Sequence, residues 1–269
     1  MIIIEPIEFP GIEAILENAE FYKNKFISDS VICFRNANIA KEESFEFSKK
    51  LSSAMGFHVY ENNRYIENHA RRSNIDSVGA DEVLVEWHIE HTYYPNPIVA
   101  ATWNMYKFNT DTENGKTYFV DTGVIFETFS DEEKEFLVNC NITEEESVKK
   151  ELMTQSKISD NYPIISNHWI SGKPIIRYTM LPGNRYPVLV SYKNESPDDE
   201  AKSYFNSLMG KVTNEIALNE DIRIVQKWRE GDLVIPDLFK LAHAVTGGFK
   251  SADREFIGIW GYKNAGGPV

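Results

Sequence analysis

The chain has 269 residues, 42% of them hydrophobic and 26% charged, an ordinary globular balance that excludes a wholly disordered polymer. Its 28 basic and 41 acidic residues leave a net charge of −13, which repels phosphate backbones and makes nucleic acid a poor default partner. Two cysteines, Cys33 and Cys140, supply neither a disulfide framework nor a cysteine-rich zinc pattern. With no long apolar run and no basic-then-apolar leader at the start, the expectation is a cytoplasmic protein of a reducing compartment with no membrane partner.

In chain order, Ile12, Ile15, Leu16, Ala19 and Tyr22 share a helical face and predict a helix over 12–26. Val31–Phe34 reads as a short apolar strand. Phe47, Leu51, Ala54 and Met55 predict a second helix over about 42–55, stopped by Gly56. Residues 61–82 are polar, rich in Asn and Arg and without clear period, and read as a functional lid or, equally, a solvated loop. From 83 the chain becomes strand-like: Val83–Glu90, Ile98–Phe108, a turn at Asn114-Gly115, then Lys116–Val120. Ser130-Asp131-Glu132-Glu133 is a capping-box pattern opening a short helix to about 138, and 143–162 reads as an irregular acidic excursion. Ser171-Gly172-Lys173 marks a hairpin turn within Trp169–Tyr178. Ser196 followed by Pro197, Asp198 and Asp199 predicts a helix start, with Ser196 as N-cap and Pro197 at the first helical position. Ile222–Trp228, Leu233–Ile235 and Phe256–Trp260 are the late strands. The sum is a mainly β protein with flanking helices: a helical part over about 1–56 and an antiparallel β core over about 83–262, in a single domain of 1–269.

Six histidines are available, at 58, 69, 88, 91, 168 and 243. In Trp87-His88-Ile89-Glu90-His91, strand alternation projects His88 and Glu90 together and turns His91 away. An imidazole beside a carboxylate supplies two ligands of a facial triad, although a solvated strand edge explains such a triplet as well. Downstream, Glu230-Gly231-Asp232 leads through Asp237 to His243, and Arg254 lies eleven residues beyond. On neighbouring strands of a hairpin, His243 could complete a metal triad while Arg254 grips a carboxylate in a bidentate pair.

These segments together resemble the TauD/TfdA family of iron(II)- and 2-oxoglutarate-dependent oxygenases. The resemblance rests on Trp87–Glu90 followed by Thr92, on Gly115-Lys116-Thr117 through Asp121, on Gly231-Asp232 through Asp237 to His243, and on Arg254. It spans about residues 10–262. It implies a double-stranded β-helix (jelly-roll) core in which His88, Glu90 and His243 bind Fe(II). It also implies that Arg254 pairs with the distal carboxylate of 2-oxoglutarate, Thr117 hydrogen-bonds to the same cosubstrate, and Asp237 stabilises the turn before His243. With O2, such an enzyme releases succinate and CO2 and most simply hydroxylates a C–H bond. The family's usual Asp ligand is Glu90 here, as in its clavaminate synthase-like branch, which suggests a small polar substrate such as a free amino acid or derivative. The second arginine of taurine-type enzymes is Gly258, which argues against a sulfonate held in the same way.

For the substrate, Arg64, Arg71, Tyr93, Tyr94, Arg177 and Trp260 are candidates, each with a packing or surface role as the alternative. His58, His69 and His168 have no partner at ligand spacing, and Glu144-Glu145-Glu146 reads as a solvated acidic face. Two other readings stand beside the oxygenase: a non-catalytic sensor binding metal and 2-oxoglutarate, and a zinc hydrolase using the same three ligands. Homo-oligomerisation stays open.

Overall fold

A computed structural model describes residues 1–67, 77–92, 94–144, 161–178 and 187–265, the side chains of 61–67 excepted. In chain order its elements are β1 (Ile2–Ile3), β2 (Ile7–Glu8), α1 (Ile12–Glu17), α2 (Ala19–Asp29), β3 (Val31–Arg35), α3 (Ser44–Met55), β4 (His58–Glu67), β5 (Val83–His88), β6 (Ile98–Phe108) and β7 (Thr117–Asp121). They continue with α4 (Thr122–Glu127), α5 (Asp131–Val138), β8 (Cys140–Thr143), β9 (Tyr162–Pro163), β10 (Ile165–Asn167), β11 (Pro174–Ile176), β12 (Val188–Tyr192), α6 (Asp199–Leu218), β13 (Ile224–Gln226), β14 (Leu233–Pro236), β15 (Leu241–Thr246) and β16 (Arg254–Tyr262).

Two large sheets organise the molecule: a five-stranded one in the order β1-β13-β7-β15-β5 and a six-stranded one in the order β2-β3-β14-β6-β16-β4. Pairing is antiparallel except where β1 joins β13 and β2 joins β3. Side-chain alternation shows how the sheets stack. In β3 and β14, Cys33 and Val234 point into a core shared with the other sheet, whereas Ile32, Phe34, Leu233 and Ile235 point outward onto α1, α2 and α3. In β7 and β15, Phe119 and Leu241 face that shared core while Tyr118, Val120, Ala242 and Ala244 pack toward α4, α5 and α6. Strands buried on both faces explain why the sequence shows continuous apolar runs rather than strict alternation.

Several expectations meet corrections. The first helix is broken at Asn18, which caps α1 and precedes α2, and the second piece runs on to Asp29. Residues 61–67, expected in a loop, continue β4, because β16 offers an edge whose backbone groups pair with it from His58 to Glu67. Of the rest of the expected lid, 77–82 form a short irregular turn and 68–76 lie outside the described residues, as do 145–160 of the acidic excursion. Glu144 is not on a solvated face: it is buried and accepts a hydrogen bond from the Tyr162 hydroxyl. The long helix is capped by Asp198, whose side chain accepts from the Ala201 amide at 2.8 Å, rather than by Ser196. The capping box at Ser130 and the hairpin joining β10 to β11 form where the sequence places them. Cys33 and Cys140 are free and buried. Among the described residues no helix is long and apolar enough to cross a membrane.

Candidate active site

His88 and His243 face each other directly across the β5–β15 pair, with ring centroids 4.1 Å apart. A bulge in β5 sets this up. Two steps along β15, from His243 to Val245, match three along β5, from His88 to Val85. The extra residue breaks the alternation, so Val85 and His88 both line the inner cavity despite their odd spacing. His88 turns Nδ1 to the Glu86 carbonyl at 2.7 Å, which leaves Nε2 to face inward.

β5 ends at His88, so Glu90 does not arrive by strand alternation. Ile89 is buried, and Glu90 sits in the following turn with Oε1 3.6 Å from His88 Nε2 and 3.5 Å from His243 Nε2. One ligand atom from each of the three residues lies within 4.8 Å of the others. Groups bound at right angles about 2.1 Å from a metal stand roughly 3 Å apart, so a small inward movement of this set would close it on an ion. Burial pushes the Glu90 carboxyl up, but the His243 and His88 imidazoles and the nearby His91 more than offset it and hold the carboxyl well below its usual range.

His91 was expected to turn away. Its backbone instead enters the left-handed region at φ 39°, a conformation costing on the order of 1–3 kcal/mol that has to be held by surroundings. The ring lies parallel to Tyr94 at 4.6 Å, meets Trp260 edge-on at 4.9 Å, and places Nε2 3.4 Å from Glu90 Oε2. Burial holds this imidazole below the ordinary histidine range, against the pull of Glu90.

Arg254 comes from the opposite wall. His243 lies in the five-stranded sheet and Arg254 in the six-stranded one, so the two are not on neighbouring strands of a hairpin; the chain crosses between sheets in the eleven residues separating them. Arg254 is buried, its guanidinium 5.0 Å from the Phe256 ring, 5.5 Å from Phe249 and 5.7 Å from Trp228. Such cation–π contacts contribute on the order of 0.5–2 kcal/mol each and ease the desolvation of the charge. Gly115 makes room for this cage: at φ +59° a larger residue would be strained, and its Cβ would press on Phe249 at 3.0 Å and on the Arg254 side chain at 3.3 Å. Trp228 donates its Nε1–H to Thr117 Oγ1 at 2.9 Å.

These groups share one cavity of about 190 Å³, lined by His88, Glu90 and His243 together with Arg254, Thr117, Trp103, Trp228, Phe256, Val85 and Val245. The sequence reading missed Trp103, Trp228, Phe249 and Phe256 as site residues. Their only local signal is an aromatic on an inward strand position or beside a strand end. Of the substrate candidates, Tyr94 and Trp260 gather around His91, next to Glu90. Arg177 does not line the cavity: its guanidinium stacks on Phe239 at 4.0 Å, and burial lowers it to about 10. Arg64 is on β4 opposite Ile259, its side chain outside the described residues, as are Arg71 and Tyr93 entirely. His168, which has no partner at ligand spacing in the sequence, meets one across the fold: Nε2 lies 2.7 Å from Asp237 Oδ2, in a buried pair that anchors the turn before β15.

The fold has relatives among solved structures. A protein assigned as an alpha-ketoglutarate-dependent taurine dioxygenase from Burkholderia xenovorans superposes with a TM-score of 0.66 at 13% identity, covering 92% of this chain and 84% of that one. A taurine dioxygenase from the same organism gives 0.64 at 12% identity, with 92% and 82% covered. AAD-2 in complex with Mn(II) and N-oxalylglycine gives 0.63 at 14% identity, with 99% and 95% covered. At such identities the likeness concerns the fold. No curated protein matches the sequence. The family profile described as taurine catabolism dioxygenase TauD, TfdA family matches residues 9–260. Since that match takes in both walls of the cavity, this chain belongs to the TauD/TfdA family of alpha-ketoglutarate-dependent dioxygenases, enzymes that use Fe(II), 2-oxoglutarate and O2.

Proposed function

We propose that the protein is a hydroxylase of a small polar molecule, a free amino acid or derivative first, acting as one oxygenase domain on a double-stranded β-helix core. His88, Glu90 and His243 hold Fe(II); Arg254 pairs with the distal carboxylate of 2-oxoglutarate and Thr117 hydrogen-bonds to the same molecule. The observation that carries this reading is that three groups able to ligate a metal and a buried guanidinium face one cavity from its two opposed walls. At about 190 Å³ the cavity is small against the roughly 300–1,000 Å³ of ordinary ligand pockets, which suits a compact dicarboxylate.

When bound, iron with 2-oxoglutarate and O2 supplies the oxidising power for C–H hydroxylation, with succinate and CO2 as by-products. The protein's own work is positional. Three ligands from one side leave the remaining coordination positions for cosubstrate and O2. Arg254 fixes the far end of the dicarboxylate and thereby orients its keto acid end. Trp103, Trp228 and Phe256 give the cavity a buried apolar wall beside Arg254, which would strengthen the Arg254–carboxylate attraction.

The test is an anaerobic titration of the apo protein with Fe(II) and then 2-oxoglutarate, watching for the visible charge-transfer band of an iron–keto acid chelate. The band should appear, and should be lost in His88→Ala. Its absence from folded protein overturns the reading. A panel of amino acids with 2-oxoglutarate, followed by mass for the gain of one oxygen, then tests the substrate class; no turnover across the panel removes the amino-acid assignment.

A further inference from the structure

We propose that His91 is a positioning residue for Glu90: it holds one carboxylate oxygen so that only the other faces the metal position. This rests on His88, Glu90 and His243 being the ligand set. The two Glu90 oxygens are divided between two neighbourhoods. Oε1 stands 3.6 Å from His88 Nε2 and 3.5 Å from His243 Nε2, while Oε2 stands 3.4 Å from His91 Nε2. A glutamate has one more rotatable bond than an aspartate, so its carboxylate is harder to aim. If it swung to bind through both oxygens, it would occupy a coordination position that cosubstrate or O2 needs. An N–H group fixed at Oε2 prevents that swing.

His91 is built to be fixed. Its positive φ aims the side chain back toward Glu90 instead of along the expected alternate face. Tyr94 stacks on one side with an interplanar angle of 4°, and Trp260 closes the ring in at 83°. The 3.4 Å separation is an electrostatic contact slightly longer than a formed N–H···O bond, and contacts of this kind tighten when a ligand binds. Tyr94 and Trp260 thereby gain a role, as the walls that hold the positioning ring.

The experiment is an anaerobic titration of apo protein with Co(II) alone, reading both the dissociation constant and the visible d–d spectrum, for the parent, His91→Phe and His91→Gln. Phenylalanine keeps a ring against Tyr94 and Trp260 but has no N–H; glutamine returns a donor at similar reach. His91→Phe should bind Co(II) about 10–100-fold more weakly with a changed spectrum, and His91→Gln should recover most of the loss. In a Glu90→Ala background, His91→Phe should change affinity by no more than about twofold. Parent-like binding and spectrum in His91→Phe overturns the proposal. So does a glutamine variant as weak as phenylalanine, or a full loss repeated in the Glu90→Ala background. Should His91→Phe fail to fold, His91→Asn takes its place with the same expectation, since asparagine tolerates a left-handed backbone and its amide stops short of Oε2. A parent protein that binds no Co(II) removes the ligand set itself, an outcome separate from failure of His91 alone.

Discussion

Among the described residues, histidines and carboxylates meet in two clusters, around Glu90 and at Asp237, and they are built in opposite ways. His168 and Asp237 close on each other at 2.7 Å, with side-chain exposures of 2% and 0%. His168 has both nitrogens engaged: Nδ1 accepts from the Ser171 amide at 3.2 Å, so Nε2 carries the hydrogen that Asp237 receives. Glu90 Oε1 instead stands 3.6 Å from His88 Nε2 and 3.5 Å from His243 Nε2 beside a cavity that all three residues line. The difference separates a fastener from a ligand set. A fastener uses up its donors and acceptors on itself. A ligand set aims its lone pairs at a common point and is kept from collapsing by the elements that carry it, here two strands and a turn. The fastener still serves the site at a distance, because it ties the β10–β11 hairpin to the turn from which β15 presents His243.

Truncating one histidine from each region separates the two roles, and the larger effect is expected at the open site. His243→Ala should weaken Fe(II) binding by more than about a hundredfold, beyond what loss of a supporting partner costs, and lower the urea midpoint of the apo protein less than His168→Ala does, because Glu90 keeps His88 and His91 beside it. His168→Ala should do the reverse. It strands the Asp237 carboxylate, whose ionised form burial already disfavours, at a cost of about 3–5 kcal/mol in urea unfolding. Fe(II) affinity of the molecules that remain folded should stay close to the parent's. If His168→Ala lost metal at an unchanged midpoint, the two regions would have been assigned the wrong way round.

The His88, Glu90 and His243 cluster was legible in the sequence and the fastener was not, for a physical reason. His88 and Glu90 are two residues apart and carry their chemistry in their side-chain types, and His243 and Arg254 fall in family order. His168 and Asp237 are 69 residues apart, and nothing local to either announces the other. Even the legible part comes together by a route other than the expected one. Alternation along one strand was expected to bring His88 and Glu90 together, whereas the strand stops at His88, a bulge re-aims it, and a turn delivers Glu90. The left-handed backbone at His91 has no signature in residue type, so His91 was sent to the wrong face. His243 and Arg254 read as a hairpin because eleven residues suffice for one; only long-range pairing decides that the chain changes sheets there. Strands such as β3 and β14, apolar on both faces, were visible as apolar runs whose two burial partners no local pattern distinguishes.

Arg254 extends the comparison to the other wall of the cavity, where the proposed function gives a buried charge an incoming group to hold. Arg254→Ala should reduce 2-oxoglutarate affinity by about 2–5 kcal/mol, the usual cost of truncating one partner of a buried charge pair. Fe(II) affinity should be largely kept. Titrating 2-oxoglutarate into the iron-loaded protein and following the charge-transfer band measures both. Parent-like 2-oxoglutarate binding would show that the guanidinium belongs with the fasteners.

The smallest expected effect is at Trp228, and it asks how far orientation extends beyond the groups that touch the cosubstrate. The indole is fully buried, lies nearly parallel to Phe256, and gives its N–H to Thr117 Oγ1 at 2.9 Å. An indole nitrogen can only donate, so Thr117 must accept there, and its own hydroxyl hydrogen is left for another acceptor. Thr117 lines the cavity, so a cosubstrate carboxylate entering it meets a hydroxyl already turned to donate. Trp228→Phe keeps an apolar ring but releases that constraint. The 2-oxoglutarate affinity should fall by about 0.5–1.5 kcal/mol, the net worth of one hydrogen bond, with Fe(II) binding unchanged. Thr117→Val should cost a similar amount, and the double variant little more than either alone, because the tryptophan acts through the threonine. Additive losses would mean that Trp228 contributes through its packing on Arg254 and Phe256, and the hydroxyl's direction would then be set by the cosubstrate itself.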